Sequence, residues 1–353
     1  MSVRERLLGA LRGEYITHPV YVVYDAFLPN PAVDWDYLFS LGLGQVNHVC
    51  VVDVKHPNCE IVETKTKAGD LVRRDVTIRT KGGELHEYYL GDSGKGVLDW
   101  RMEYFIKKPS DYSLMATALE GSVYTMTNRF FDDSERAIGD RGITLAHVDR
   151  TPFQVIQIDY AGLEQFSYHL ADKESGLFDL LELMNQLKLD EFSYVADSKA
   201  EFVKLWENIG INAVGPQVYR KYITPMYERI IEMLSKKNKK LIVHYDGQIR
   251  LIAEDIARLG FDLDSLTPPP EGDMQPDEAR WLWPKTFFWL HPSLTWFSLP
   301  EEEFAYRIRS MASAVGPYRY CFELSEGIPE NWRKGIPEVL QVLSDLDSLQ
   351  KSY

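Results

Sequence analysis

The sequence predicts an α/β fold, a (β/α)8 TIM barrel with an N-terminal β-meander insertion, and three observations support this prediction. Eight short apolar segments rich in β-branched and aromatic residues are distributed along the 353-residue chain. Segments with the helical spacing of apolar residues alternate with most of them, which is typical of βα units and a parallel sheet. Polar residues follow several of the apolar segments, where the functional loops of such a barrel begin.

The predicted strands are short and end in polar positions. The first two run into carboxylates, at Asp25 and Asp53, which indicates buried strands that are closed by an acidic residue. In chain order, the eight predicted strands are His18–Tyr24, Gln45–Val52, Gly142–Val148, Ile211–Val214, Leu241–His244, Leu263–Leu266, Thr286–Leu290 and Tyr318–Leu324.

Helices are predicted where apolar residues recur every three to four positions. In Glu301–Val315, for example, Phe304, Ile308 and Met311 lie on one stripe, which indicates packing against a core. The predicted helices after the first are Gly162–Asp172, Gly176–Leu187, Lys199–Asn208, Tyr219–Lys236, Gln248–Leu259, Asp277–Trp281, Glu301–Val315 and Trp332–Leu349.

Residues 59–90 depart from this pattern. Their apolar residues alternate with polar ones, and turn signals occur at 68–70 and at 82–83, which predicts an antiparallel β-meander. The length alone allows two domains. We expect residues 1–353 to form a single barrel domain, with residues 59–90 inserted in it.

The composition excludes several classes of protein. Lys and Arg number 39 against 53 Asp and Glu, a net charge of −14, which argues against nucleic acid as a partner. Three cysteines do not make a disulfide framework and suit a reducing compartment. We find no signal peptide, no apolar run long enough to span a membrane and no P-loop, Rossmann or G-x-S-x-G motif. We therefore expect a cytoplasmic protein without a membrane partner.

The strongest candidate catalytic pair is His244 and Asp246, directly after the strand LIV. Residues two apart in an extended chain point to the same side, so both side chains are expected to face one space above the barrel. Such a pair suits a metal ion or a base with its orienting carboxylate. A purely structural hydrogen-bonded pair is the alternative.

Two further groups of carboxylates follow later strands. Glu271 and Asp273 come after three prolines that stiffen their loop, which suits a preorganised catalytic site, although Asp273 is equally suited to cap a helix. On the last strand Cys321 and Glu323 share a face, and Glu326 lies in the loop beyond. Cys321 is more typical of a small core residue, so the two glutamates are the better functional candidates.

Four more residues are candidates for substrate binding. Asp25 ends the first strand, Asn208 and Tyr219 flank the predicted strand Ile211–Val214, and His291 follows the strand FFWL. For Asn208 and Tyr219, capping and packing roles are the alternative.

At this point the chain resembles the uroporphyrinogen decarboxylase superfamily over nearly its whole length. No single motif carries the resemblance, which depends on the order and spacing of several. These are Arg4-Glu5-Arg6 with Leu8, Ala10, Leu11, Gly13 and Pro19-Val20; Pro216 with Tyr219-x-Lys221-Tyr222-x-x-Pro225; His244-x-Asp246-Gly247; Thr267-Pro-Pro-Pro-x-Gly-Asp273; and Ser325-Glu326-Gly-Ile-Pro329.

Two chemistries compete within that superfamily. True uroporphyrinogen decarboxylases carry an arginine-rich segment that grips substrate carboxylates, whereas the corresponding stretch Tyr21–Pro29 has no arginine and contains Asp25. A porphyrinogen would meet repulsion there. The resemblance therefore favours the cobalamin-dependent methyltransferases, which include O-demethylase components.

The resemblance also implies a metal and a partner. Relatives with a known zinc site often use His-x-Cys and a last-strand Cys; here Asp246 replaces the first thiolate, and the last-strand candidates are Cys321, Glu323 and Glu326. Zinc held by His244 and carboxylates is more Lewis acidic and suits the polarisation of an ether oxygen. Cobalamin is expected on a separate corrinoid protein, because the chain lacks an obvious Asp-x-His-x-x-Gly loop.

These features predict a zinc-assisted methyltransferase that moves a methyl group from a small methylated donor, such as a methoxylated aromatic, to a corrinoid protein. The alternatives are a decarboxylase of a small carboxylic acid or porphyrinogen, a binding barrel without catalytic activity, and a metal enzyme that uses no corrinoid.

Overall fold

A computed structural model describes residues 1–14, 18–91, 99–245, 247–317 and 319–350. Its strands are β1 (Tyr21–Tyr24), β2 (Gly44–Val49), β3 (Val52–Lys55), β4 (Cys59–Ala68), β5 (Leu71–Thr80), β6 (Gly83–Gly91), β7 (Trp100–Glu103), β8 (Val123–Met126), β9 (Gly142–Asp149), β10 (Phe202–Trp206), β11 (Lys240–His244), β12 (Asp262–Leu266), β13 (Phe288–Leu290) and β14 (Tyr320–Leu324).

The helices are numbered in chain order in the same way. They are α1 (Val3–Arg12), α2 (Trp35–Ser40), α3 (Ser110–Leu119), α4 (Asn128–Ile138), α5 (Pro152–Gln154), α6 (Leu163–Ala171), α7 (Ser175–Asp197), α8 (Ile211–Val214), α9 (Pro216–Val218), α10 (Thr224–Ser235), α11 (Ala253–Leu259), α12 (Pro276–Leu282), α13 (Glu301–Val315) and α14 (Trp332–Gln350).

Eight of the strands in the described part of the chain close into a parallel barrel. Around the barrel their order is β1, β14, β13, β12, β11, β10, β9 and β2, and each neighbouring pair is parallel. The predicted (β/α)8 TIM barrel is therefore confirmed.

Apolar side chains fill the barrel, and α1 packs against them. Leu7 and Leu11 of α1 belong to the same buried cluster as Val22 of β1, and a cap by Ser2 fixes the start of the helix. The first residue of β2, Gly44, faces α1 so closely that a Cβ there would lie 2.8 Å from a methyl group of Val3. Helix α1 therefore lies at the amino-terminal end of the barrel strands.

One predicted strand and one predicted helix are wrong. Lys199–Asn208 was expected to be helical but contains β10, whereas Ile211–Val214 was expected to be a strand and forms the one-turn helix α8. Lys204, at the centre of Phe-Val-Lys-Leu-Trp, is fully buried and does not lie on a solvated helix face. The β-branched and aromatic residues around it favour a strand.

The described residues form two compact units. One comprises Met1–Val51, Thr127–Asp149 and Val195–Tyr353, and contains the barrel strands. The other comprises Val52–Met126 and Arg150–Tyr194. Within it β4, β5, β6 and β7 form an antiparallel sheet, so the predicted meander is confirmed. The single-domain assignment of residues 1–353 stays a prediction.

No helix in the described ranges is both long enough and apolar enough to cross a lipid bilayer.

Candidate active site

Each barrel strand brings a polar or aromatic side chain to the carboxyl-terminal end of the barrel. We call this end the mouth. Because the strands are parallel, residues in register on neighbouring strands share the inner face; His244 of β11, for example, is in register with Asp264 of β12. The side chains that gather here are Tyr24, His48, His147, Lys204, Trp206, His244, Asp264, His291 and Glu323.

A buried lysine lies at the centre of the mouth. The Nζ atom of Lys204 is 2.6 Å from Oδ2 of Asp264 and donates to the Tyr24 hydroxyl at 2.6 Å. The same hydroxyl hydrogen-bonds Oδ1 of Asp264 and lies 2.6 Å from Oε2 of Glu323. All four side chains are excluded from solvent. Charges buried in this way must be paired, so the protonation of the cluster is constrained.

The pKa shifts of the two carboxyl groups and the single hydroxyl proton of Tyr24 together determine the charge of each group in this cluster. Burial raises the pKa of Asp264, but the nearby Lys204 and His244 more than reverse this and lower it. Burial and the charge of Asp264 raise the pKa of Glu323 well above its usual range, so Glu323 is protonated. Tyr24 has a single proton, which it gives to ionised Asp264, while its oxygen accepts from Lys204 and from Glu323. The cluster then holds one ammonium and one carboxylate and is neutral.

His244 is oriented by this cluster. Its Nδ1 lies 2.5 Å from Oδ2 of Asp264, and because an ionised carboxylate only accepts, Nδ1 carries the proton. The ring also packs edge-to-face on Trp206, with centroids 5.1 Å apart. Its Nε2 faces Oε1 of Glu326 at 3.8 Å, and Ser265 Oγ donates to that oxygen at 2.8 Å. His244 Nε2 and Glu326 therefore converge on one position.

His291 lies beside this pair. It is buried, with Nδ1 3.4 Å from the main-chain oxygen of Glu323, and burial lowers the pKa of the His291 ring. Ser293 lies two residues after His291 in the same loop, and its Oγ donates a hydrogen bond to Glu271 at 2.6 Å. His291 is thus a neutral imidazole at the edge of the mouth.

Aromatic rings form the opposite wall of the mouth. The centroid of Trp206 lies 5.0 Å from that of His48, and Tyr24 contacts His48 edge-on at 4.6 Å. Asp25 accepts from Nδ1 of His48 at 2.9 Å, yet burial and the charge of Lys204 lower the pKa of His48 to about 4. The rings of Tyr24, His48 and Trp206 are uncharged, and such an aromatic surface suits an apolar ring.

The structure brings together four of the residues that the sequence predicts for the site. His244, Glu323, Glu326 and His291 all meet at the mouth. Asp25 lies at the aromatic wall through His48. Asn208 contributes its main chain, whose N–H donates to the carbonyl of His244 at 2.9 Å.

Three predicted residues have structural roles instead. Tyr219 is fully buried, and its hydroxyl is 3.1 Å from that of Tyr245, so it belongs to a buried chain of tyrosines. Asp273 accepts from the main-chain N–H of Ile249 at 2.8 Å and caps the turn that begins at Arg250. Cys321 belongs to the apolar core, and burial raises the pKa of its thiol well above the usual range.

The sequence reasoning missed Lys204, Tyr24, Asp264 and Trp206. A signal existed for two of them, because Lys204 lies among apolar residues in FVKLW and Asp264 is a charged residue within the predicted strand Leu263–Leu266. Such a residue must be paired or solvated. Tyr24 and Trp206 carry no comparable signal, since aromatic residues are common in buried strands.

The described residues do not complete a metal site by themselves. No group of three or more His, Cys, Asp or Glu in these residues is arranged to hold a metal ion. His244 and Glu326 supply two suitable donors, and the third predicted donor, Asp246, lies outside the described residues. The zinc prediction therefore depends on Asp246 and stays a prediction.

The fold and a family model indicate the class of protein to which this chain is similar. The closed parallel barrel places the chain among TIM-barrel proteins. The model of the family described as uroporphyrinogen decarboxylase (URO-D) matches residues 157–287, which confirms the resemblance to that superfamily for this part of the chain. No curated protein matches the sequence.

Two of the solved structures that match this chain cover most of its length, and the first of them supports the fold. A methyltransferase from Methanosarcina mazei is 12% identical, with 98% of this chain and 99% of that chain covered and a TM-score of 0.59. A B12-independent methionine synthase from Shewanella sp. W3-18-1 is 10% identical, with 90% and 86% covered and a TM-score of 0.46. At 12% identity the first likeness concerns the fold alone.

Proposed function

We propose that this chain is a methyltransferase that moves a methyl group from a small methylated donor, of the methoxylated aromatic class, to the cobalt of a separate corrinoid protein. One observation carries the proposal: His244 is held by ionised Asp264 so that its Nε2 faces Glu326 beside a neutral aromatic wall. The resemblance to the uroporphyrinogen decarboxylase superfamily supports this class of enzyme.

The reaction places a clear demand on the mouth. The carbon–oxygen bond of the methoxy group breaks, a cobalt–carbon bond forms to the reduced, nucleophilic cobalt, and the oxygen keeps the bonding electron pair. That oxygen needs a proton or another positive charge as it leaves. The position between His244 Nε2 and Glu326 is where the structure can provide one.

His244 is suited to hold and deliver that proton. An imidazolium is stabilised by a carboxylate on the opposite nitrogen, and Asp264 occupies this position at 2.5 Å. Lys204 keeps Asp264 ionised, and Trp206 keeps the ring in its plane. The donor's ring packs on the aromatic wall, so the methoxy oxygen lies toward His244.

The charge of the mouth sets the substrate class. Asp25 and Glu326 are carboxylates of the mouth, and the charge of its lysine, Lys204, is already paired with Asp264. A substrate with several carboxylates gains no salt bridge from this lysine and meets like charges. The donor is therefore neutral or singly charged, and a porphyrinogen is disfavoured.

Zinc remains part of the proposal. His244, Asp246 and Glu326 would hold it, and when bound it would polarise the ether oxygen as a Lewis acid, in place of the proton on His244.

The deciding experiment measures methylation of free cob(I)alamin by the purified chain with a panel of methoxyarenes, followed by absorbance. We expect methylcobalamin with at least one donor, and none with His244→Ala. His86→Ala, which removes a histidine from the meander sheet, is the matched control and should keep full activity. Release of carbon dioxide from a carboxylic acid, with no methylation from any donor, would instead identify a decarboxylase.

A further inference from the structure

A cavity lies at the opposite end of the barrel from the mouth. Its volume is about 440 Å³, and it is lined by residues that precede or begin the first two barrel strands, among them Pro19, Tyr21 and Leu41. Helix α14 adds Leu340 and Leu343 to the wall, and α1 adds Arg6. Because parallel strands all start at one end, this cavity is distinct from the proposed active site.

Two polar groups in this cavity have no partner among the residues that the structure describes. Tyr21 is 1% exposed, and its hydroxyl makes no hydrogen bond to any of these residues. The Nε–H of Arg6 is buried without an acceptor, and within the described ranges no carboxylate pairs with its guanidinium. A buried donor that is left without an acceptor destabilises the folded chain. Two such donors that line one cavity indicate that a ligand accepts from them.

The chemistry of the walls defines that ligand. Burial lowers the pKa of Arg6, but a guanidinium stays charged at neutral pH, so Arg6 gives the cavity a lasting positive charge. A planar carboxylate matches the guanidinium fork with two hydrogen bonds. Leu41, Leu340 and Leu343 provide an apolar wall beside it.

We propose that this cavity binds a small monocarboxylate with an apolar tail. The carboxylate lies on Arg6 and the Tyr21 hydroxyl, and the tail packs on the leucines of α14 and of the turn before β2. The volume is within the range of small-molecule sites and accommodates an acid of six to eight carbon atoms, by an order-of-magnitude comparison. This site does not depend on the proposed methyl transfer.

The test is calorimetric titration of the full chain with hexanoate. We expect saturable binding of one hexanoate per chain, with hexanamide binding at least about tenfold more weakly because it lacks the charge. Arg6→Gln should weaken hexanoate binding by at least about tenfold, and Tyr21→Phe by about fivefold. Arg12→Gln removes the same charge from the same helix but lies outside the cavity, so it should bind like the wild type.

Several outcomes would overturn the proposal. No saturable binding by the wild-type chain, or binding that survives both Arg6→Gln and Tyr21→Phe, excludes the site. Binding of inorganic phosphate in preference to hexanoate excludes the ligand class. Tyr21→Phe should also keep the melting temperature of the free chain, since its hydroxyl has no partner to lose; a fall of several degrees would contradict the premise.

Discussion

The buried Lys204 is the residue on which the charge balance of the mouth depends. Its ammonium group contacts both Asp264 and Tyr24 at 2.6 Å, and no solvent reaches it. Lys204 compensates the charge of Asp264. A buried ion pair adds little stability by itself, but removal of one member leaves an unpaired buried charge that strongly destabilises the fold.

Lys204→Met should therefore destabilise the chain by about 3–5 kcal/mol and abolish methyl transfer, because Asp264 is left as an unpaired buried carboxylate. The double variant Lys204→Met with Asp264→Asn removes both charges and should recover most of the stability without the activity. Urea unfolding of the wild type, both single variants and the double variant measures the coupling. A double variant as unstable as the first single one would contradict this account.

His48 gives stability a defined pH dependence. Its folded pKa is about 4, against 6.5 for an unperturbed histidine, so between these values the unfolded chain binds a proton that the folded chain does not. The free energy of unfolding therefore falls as the pH drops from 6.5 to 4, by at most about 3 kcal/mol from this residue. Above pH 6.5 the contribution of His48 to the free energy of unfolding is constant.

His48→Asn should flatten this part of the profile, as measured by urea unfolding at several pH values between 7 and 4. His86→Asn, a change at the half-exposed histidine of the meander sheet, is the control and should keep the wild-type slope. Equal slopes in His48→Asn and the wild type would show that the ring does not resist protonation.

At the scale of elements, β12 contains an irregularity next to the site. The register between β12 and β13 shifts between Leu263 and Leu266, and Ser265 has a φ of 61°, a conformation that residues other than glycine rarely adopt. This conformation accompanies the hydrogen bond from Ser265 Oγ to Glu326 at 2.8 Å. The local strain and the orientation of Glu326 are thus linked.

Ser265→Ala and Ser265→Gly should separate the two effects. Both remove the donor to Glu326 and should lower kcat, but glycine tolerates the positive φ, so Ser265→Gly should be about 1 kcal/mol more stable than Ser265→Ala. Thermal unfolding and the cob(I)alamin assay measure the two properties. If Ser265→Ala were the more stable variant, the strain would not exist.

The individual elements also show which parts of the fold local sequence patterns can predict. The stripe of α13 and the alternation of the meander predict their elements well, because each pattern is local. Strand β10 was missed because the burial of Lys204 depends on Asp264 and Tyr24, which lie 60 and 180 residues away in the chain. Local periodicity carries no information about such partners.

At the scale of the molecule, barrel closure explains which residues of the mouth could be predicted to lie there. His244, Glu326 and His291 each end or follow an apolar strand, and that position in the sequence places them at the mouth. Tyr24 meets Glu323 only because β1 pairs with β14, which joins the two ends of the chain. The tyrosine therefore gains its role from the topology, and its local sequence resembles that of any buried strand.

The predicted zinc site depends on the whole barrel. Its proposed donors come from the ends of β11 and β14, which are separated around the barrel by β12 and β13. Chain purified without chelators should contain about one zinc ion, as measured by elemental analysis. His244→Ala, Asp246→Asn and Glu326→Gln should each lose it. Cys321→Ala should keep it, because that thiol lies in the apolar core with a raised pKa and is not available as a thiolate. Zinc retained at full stoichiometry in His244→Ala would remove His244 from the ligand set, while its loss in Cys321→Ala, with an unchanged circular dichroism spectrum, would move the last-strand ligand from Glu326 to Cys321.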